Sequence, residues 1–575
     1  MKLKLLNNYF VVFILFLFIL ITYGNIFDNE LLWDDEVFIV ENPDIKEFSN
    51  IPKFFVYPDY GVLYRPLKSI LITVTYHIWG LNKFGYHLNG FLLHFFSTVL
   101  VFFISCKLFK RKNLAFLTSI IFAVHPIHIE RVTGVTAGFD LLGIVFYLLS
   151  FFLYLKFKEA KNKRFFYFSL FTFILALLSS EEAISLPLIV LIYEITFNYD
   201  NIKKIFNKSS VRHLLKKIGI YFLILIFYLI VRFLVLGHVA RRSTYVAGSF
   251  YSTMLTMSRV IIKYIRLLIF PINLSLNDTM PFSTSIFDFR VILSLIVIFF
   301  VLFYAFRQLS KKKLISFAIF WFFITLIPFY NVVPIITLYQ ERYLYLPSFS
   351  VCIIFSLLFF NLKKASKALA IIFIVFLILF FSVGTIRRNN DWQDAETLWK
   401  KTIQTSPDFS IAYNNLGRVY LGQNKDREAL KLFMYAIEHK LNYGYSSYRP
   451  EYADPYNNIG IIYKKKGNYS LAIEYYKQAI SLKSDYYQAH YNLGTLYNEL
   501  GEYDKAIIEF IKAIRVRPTY AKAHNNLGIS LMNIREIDEA IAEFEKALNI
   551  NPAYKEAQNN LEFAYKIKKD LKGDK

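Results

Sequence analysis

Two aspartates and a glutamate stand just past the first long apolar run, in Leu32-Trp33-Asp34-Asp35-Glu36. Crowded carboxylates raise one another's pKa, which suits a proton acceptor. A carboxylate held at a membrane surface can then take the proton of an attacking hydroxyl. The plainer reading is a set of acids on a face that lysines avoid. Much later comes Tyr339-Gln340-Glu341-Arg342-Tyr343-Leu344-Tyr345. A guanidinium binds phosphate through two parallel hydrogen bonds, so Arg342 is a candidate clamp for a lipid headgroup. Arg241 and Arg242 are alternatives, and an interface anchor between tyrosines is the plain reading. His125-Pro126-Ile127-His128-Ile129-Glu130-Arg131 sets two histidines three apart beside an acid, as metal ligands on a helix would be. Pro126 spoils that spacing and no third ligand is evident, so a polar lining is the better reading and no metal or other cofactor is expected. Ser179-Ser180-Glu181-Glu182 reads first as a solvated turn.

These residues must be positioned by membrane helices. Of the 575 residues 55% are hydrophobic and 19% aromatic, and the mean hydropathy is +0.38. That excludes a disordered chain, and two cysteines exclude a disulfide scaffold. The net charge of +23 is unevenly held: 40 basic and 19 acidic residues precede Asn389, against 26 and 24 from there on. A basic excess confined to the apolar part reads as membrane topology, not as a nucleic-acid surface. The first span begins the chain as a retained helix after MKLKLLNN. Further apolar runs near 86–106, 114–129, 139–155, 165–180, 183–199, 218–236, 291–306, 314–329, 345–361 and 368–386 give about eleven spans. Residues 254–271, with Arg259, Lys263 and Arg266, read as an interfacial amphipathic helix. Lys2, Lys4 and every second connection together hold 24 of the 40 positive residues and only Glu159 and Asp200 as acids. Positive loops stay inside, so the N-terminus is expected in the cytoplasm and the C-terminal part outside it, in a multi-pass protein of a bacterial plasma membrane.

Residues 389–575 repeat. Gly460, Gly494 and Gly528 are 34 apart, and Ala472, Ala506, Ala540 and Tyr476, Phe510, Phe544 keep the same offsets. This is the tetratricopeptide pattern, here in four to five units. Gly417, Ala429 and Phe433 give an earlier unit, displaced by an insertion around Asn442–Pro450. Ala395, Trp399 and Pro407 read as a half-repeat leaving the last span directly, which predicts a stiff joint. Asn415, Asn458, Asn492, Asn526 and Asn560 fall in one register. A row of amides could grip the backbone of an extended polypeptide, or could bond one repeat to the next. The expected architecture is therefore all-α: a polytopic membrane domain over 1–388, then a repeat solenoid over 389–575.

The ordered set Trp33-Asp34-Asp35-Glu36, Tyr64-Arg65-Pro66-Leu67, Gly85-Tyr86-His87-Leu88-Asn89 with Leu93-His94, His125 to Glu130, Glu341 to Ser348 and then the repeats resembles the transmembrane-and-tetratricopeptide-repeat O-mannosyltransferase-like family, within the GT-C superfamily of glycosyltransferases. The resemblance covers nearly the whole chain. It implies a first-loop aspartate as catalytic base, Asp35 with Asp34 as the alternative. It implies a polyprenyl-phosphate-linked sugar, mannose or another hexose, and an acceptor hydroxyl on the outer face. Arg342 would stabilise the leaving phosphate in an inverting transfer, with Arg65, His125, His128 and Glu341 beside it on the donor side. A protein Ser or Thr held in the repeat groove would be the acceptor. Ser179-Ser180-Glu181-Glu182 departs from the Lys-Glu pair common in relatives, which puts a cationic donor contact there in doubt. The rival readings are a membrane scaffold that displays repeats to partners and a transporter. Ionisable groups at outer helix ends rather than at mid-span argue against the transporter.

Overall fold

The computed structural model describes all residues except 1–7, 59–62, 199–207, 239–244, 277–279, 336, 440–451 and 574–575. The described residues are helical, and the chain divides into two compact units, Met1–Ser406 and Pro407–Lys575. Arg241, Arg242, the 442–450 insertion, Lys2 and Lys4 lie outside the described residues.

In the first unit, each of the eleven apolar runs forms helix. Seven are long enough to cross a bilayer: Asn8–Ile26, Lys83–Phe109, Val135–Ala160, Lys217–Leu236, Phe289–Gln308, Glu341–Ala365 and Lys367–Asn390. An eighth crossing is Lys112–Ala123 with Pro126–Val132, bent by 53°. The helices Lys163–Leu177 (15 residues), Leu186–Asn198 (13 residues) and Lys313–Thr325 (13 residues) are shorter. At 1.5 Å per residue, 15 residues rise only about 22 Å, against a hydrocarbon core of about 30 Å. Helix length alone therefore supports seven or eight crossings among the described residues, fewer than the eleven expected, because apolar composition does not separate a buried short helix from a span.

The bend at 124–128 has a local cause. Pro126 removes a backbone donor, and the side chain of His125 caps the new turn by accepting from Ile127 N at 3.2 Å. Beyond the bend, backbone packs on backbone. A Cβ at Gly90 would lie 2.4 Å from the Val132 carbonyl oxygen, so only glycine lets Lys83–Phe109 come this close. Asn389 joins the ends of the first and last apolar helices. Its amide donates to Thr22 O at 2.9 Å and accepts from Thr133 Oγ1 at 2.8 Å. Phe250–Ile269 is an amphipathic helix that buries Thr253, Thr256, Val260 and Leu267 and leaves Arg266 exposed.

The second unit is four helix pairs and a final helix: Ser410–Gly422 with Asp426–Glu438, Ala453–Lys465 with Tyr469–Leu482, Tyr487–Glu499 with Tyr503–Val516, Ala521–Asn533 with Ile537–Ile550, then Lys555–Gly573. The repeat glycines have one job four times over. A Cβ at Gly417, Gly460, Gly494 or Gly528 would meet the ring of Phe433, Tyr476, Phe510 or Phe544 at 2.6 to 2.9 Å. The rings are fully buried. Small residue and aromatic thus interlock across each helix pair. Helix Ala395–Thr405, read from sequence as a half-repeat, falls within the first unit.

Candidate active site

Asp34 and Asp35 begin the helical segment that continues through Glu36–Val40, directly after Trp33, whose φ is +56°. Such backbone costs a bulky residue about 1–3 kcal/mol and persists only where neighbours enforce it. The two neighbouring carboxylates have different surroundings. Asp35 is buried and saturated: it accepts from Leu32 N at 2.9 Å, Thr136 N at 2.7 Å and Thr136 Oγ1 at 2.5 Å. Burial pushes its pKa up to about 6, against the pull of those three donors. Asp34 is only partly buried. Burial raises its pKa too, the nearby charge of Asp140 adds to the rise, and Arg342 and Lys68 draw it back. Arg342 and Lys68 are thus the cations that bear on Asp34.

Arg342 lies in the short helical turn Glu341–Leu344 that opens the helix running to Ala365. Its backbone N–H donates to Glu130 Oε2 at 2.8 Å, its Nε to Gln340 Oε1 at 2.7 Å, and its carbonyl accepts from Arg131 Nε at 3.1 Å. About a quarter of the side chain is exposed. Among the described residues no hydrogen bond engages its two terminal nitrogens. Its Nε also lies 3.5 Å from Glu130 Oε1, so the guanidinium is held from one side while its two terminal nitrogens stay without a hydrogen bond.

Behind them lies a buried ionic cluster. Asp140 receives Arg65 Nη1 at 2.7 Å, Lys68 Nζ at 2.9 Å and Arg131 Nη1 at 2.9 Å. Glu181 holds Arg65 through its Nε at 2.6 Å, and Glu182 pairs with Arg131. Burial opposes the charge on Arg65, but Asp140 and Glu181 hold its pKa above the ordinary guanidinium range. Ser179-Ser180-Glu181-Glu182 is therefore no solvated turn: the acids fall inward and supply counter-charge to cations from two other segments. Among the described residues no group of three His, Cys, Asp or Glu could hold a metal ion.

The other sequence candidates make contacts of their own. His125 is fully buried, its Nε2 bonded to Leu268 O at 3.0 Å. His128 is equally buried and bonds Ser348 Oγ at 2.8 Å. Both serve helix packing around the bend. Glu341 also points inward: its carboxylate accepts from Ser275 N and lies 3.8 Å from Arg388 Nη2. Arg65 joins the cluster as counter-charge to Asp140 and Glu181. Lys68, Thr136, Asp140 and Gln340 were missed. Asp140 had a signal, an acid where an apolar run begins. Thr136 had none, because a hydroxyl in an apolar stretch is common.

In the repeats, the amides at the aligned register mostly bond the preceding repeat. Asn458 donates to Asn414 Oδ1 at 3.0 Å, Asn492 to Asn457 Oδ1 at 2.9 Å, Asn526 to Tyr491 OH at 3.2 Å and Asn560 to Asn525 Oδ1 at 2.9 Å. Asn415 lies in the first pair and accepts from Asn414 at 3.5 Å. The inter-repeat alternative describes this geometry directly.

Family models for the tetratricopeptide repeat match residues 408–485, 475–508, 494–534 and 521–554. The protein O-mannosyl-transferase F38B6.6 of Caenorhabditis elegans is 25% identical over 443 residues, covering 73% of this chain and 61% of its own. The human protein O-mannosyl-transferase TMTC3 is 24% identical over 491 residues, covering 78% and 53%. The chain thus spans between half and two thirds of the length of these relatives. Among solved structures, YrrB, a tetratricopeptide-repeat protein with an unusual peptide-binding site, is 21% identical, covers 35% of this chain and 96% of its own, and has a TM-score of 0.24. By its similarity on both sides of Asn389, the chain is a relative of the transmembrane-and-tetratricopeptide-repeat proteins named as protein O-mannosyl-transferases.

Proposed function

We propose that the first unit transfers a sugar, mannose or another hexose, from a polyprenyl-phosphate donor to an acceptor hydroxyl. The observation that carries this reading is a partly exposed carboxylate, Asp34, within electrostatic reach of the Arg342 guanidinium, whose two terminal nitrogens make no hydrogen bond among the described residues. Asp34 takes the proton of the acceptor hydroxyl as its oxygen attacks the anomeric carbon. The bond from that carbon to the phosphate oxygen breaks with inversion. The electron pair leaves with polyprenyl phosphate, whose growing charge Arg342 stabilises. A phosphate leaving group needs no proton, so a second acid is not required. Asp35 shapes the loop in this account, since an acid whose oxygens already accept three hydrogen bonds is poorly placed to take a fourth proton donor. This reverses the order in which the sequence ranked the two aspartates.

The acceptor is a polypeptide Ser or Thr. Support comes from the repeats, an architecture that presents extended binding surfaces, and from relatives named for protein O-mannosylation. The reaction faces the outer side of the membrane in this reading, which the concentration of basic residues in alternate loops supports. The test uses the purified full chain in lipid discs with synthetic polyprenyl-phosphate mannose or glucose and an unfolded Ser/Thr-rich polypeptide. Transfer that Asp34→Asn abolishes supports the reading. Full binding of the polypeptide with no transfer from either donor would favour a membrane scaffold instead.

A further inference from the structure

We propose that the segment Asn389–Ser406, which leaves the end of the last apolar helix, is a strut that positions the site, with Trp399 as its central residue. Four observations converge on it. The Trp399 side chain is buried and meets Trp33 edge to face, ring centres 5.5 Å apart at 80°. Trp33 is the left-handed residue directly before Asp34, so the ring that packs on it helps enforce the conformation that aims the carboxylates. The start of the same loop is tied down beside it, with Glu30 N donating to Gln393 O at 2.9 Å and Asn29 Nδ2 to Asn389 O at 3.4 Å. Trp392 presses on the second wall: a Cβ at Gly134 would lie 3.1 Å from its ring. Gly134 stands two residues before Thr136, the residue that holds Asp35 twice.

The far end of the strut reaches the other half of the site. Ser406 Oγ lies 2.8 Å from Ser275 Oγ, and Ser275 N donates to the carboxylate of Glu341, the neighbour of Arg342. One short segment therefore braces both the base loop and the clamp loop. Trp399 touches no reacting group, so it is a positioning residue. The strut stands on geometry alone; its catalytic consequence rests on the reading of Asp34 as base and Arg342 as clamp.

The test compares full-length wild type, Trp399→Ala and Trp399→Phe in lipid discs, by hydrogen exchange and by transfer to a short Ser/Thr peptide. In Trp399→Ala, exchange in peptides covering 30–36 and 134–138 rises about tenfold, while the helices 83–109 and 521–550 keep wild-type exchange. Its kcat falls about tenfold or more with the acceptor KM within about twofold, because a small misplacement of the base costs rate rather than binding. Trp399→Phe restores most of both. Unchanged exchange in 30–36 overturns the proposal, as does an equal rise across the whole first unit or a loss carried by KM alone. Should Trp399→Ala fail to insert, Trp399→Leu is read in the same way. Raised local exchange in a protein whose wild type transfers no sugar leaves the strut standing and removes the transferase reading, so the two failures are told apart.

Discussion

The two units bury charge in different ways. In the repeats, His490 Nδ1 meets Glu509 Oε2 at 2.5 Å and His524 Nδ1 meets Glu543 Oε2 at 2.6 Å. Both pairs are 19 residues apart and each joins the two helices of its own repeat. In the membrane unit, Asp140 gathers Arg65 and Lys68 from the start of helix Pro66–Trp79 and Arg131 from the bend. The repeat pair is local and duplicated, so losing one leaves its copy. The membrane cluster is shared by distant segments and has no copy. The lesson is that the site depends on a few irreplaceable long-range ion pairs, while the repeats spread their stability over many small equal terms.

That contrast can be broken by substitution. Asp34→Asn keeps shape and removes the base, so kcat should fall by roughly 10² or more with folding unchanged. Asp35→Asn tests the opposite role: it should loosen exchange in 30–36 and lower activity without removing its pH dependence. Equal, purely kinetic losses in both variants would return Asp35 to the chemistry. The raised pKa of Asp34 fixes the sign. The base must be ionised, so the acid limb of kcat/KM should lie above the ordinary aspartate range and be absent from Asp34→Asn. A limb at or below an ordinary aspartate pKa would contradict the burial that raises it.

Next in size is the ion cluster. Asp140→Ala leaves Arg65, Lys68 and Arg131 without their shared partner, and breaking one buried pair costs about 3–5 kcal/mol. Thermal unfolding of the first unit should fall sharply, whereas Glu509→Ala should barely move the second. Comparable shifts would erase the distinction drawn between the units. Arg342→Ala should then raise the donor KM and lower kcat, and Arg342→Lys should recover only part, since an ammonium cannot bind bidentately. Full recovery by lysine would leave only a point charge at that position.

The smallest effect belongs to the asparagine register. Replacing Asn458, Asn492 and Asn526 together by alanine removes inter-repeat bonds worth about 0.5–1.5 kcal/mol each. The repeat transition followed by circular dichroism should move down by several degrees, and transfer to a short peptide should not change. Weaker binding of a long acceptor with an unmoved transition would instead make the row a peptide grip.

The sequence alone determined whatever repeats or is local. Periods of 34 fixed the solenoid and apolar runs fixed the helices, because these follow from backbone sterics and from burial of one face at a time; the bend at Pro126 lay inside a stretch read as one apolar run. The charged residues themselves were also legible as candidates, whereas the strained backbone of Trp33 was not. Which candidates meet was decided only by tertiary structure. His125 and His128 looked like site residues and became core. Glu181 and Glu182 looked like a solvated turn and became counter-charge for Arg65 and Arg131. Asp34 and Asp35 are chemically identical neighbours, and the approach of Thr136, 101 residues further on, gives them different surroundings. The same holds for Trp399, which obeys the repeat pattern yet packs on Trp33. Electrostatic roles depend on what surrounds a group within a few ångströms, and in this membrane unit those surroundings come from residues far away along the chain.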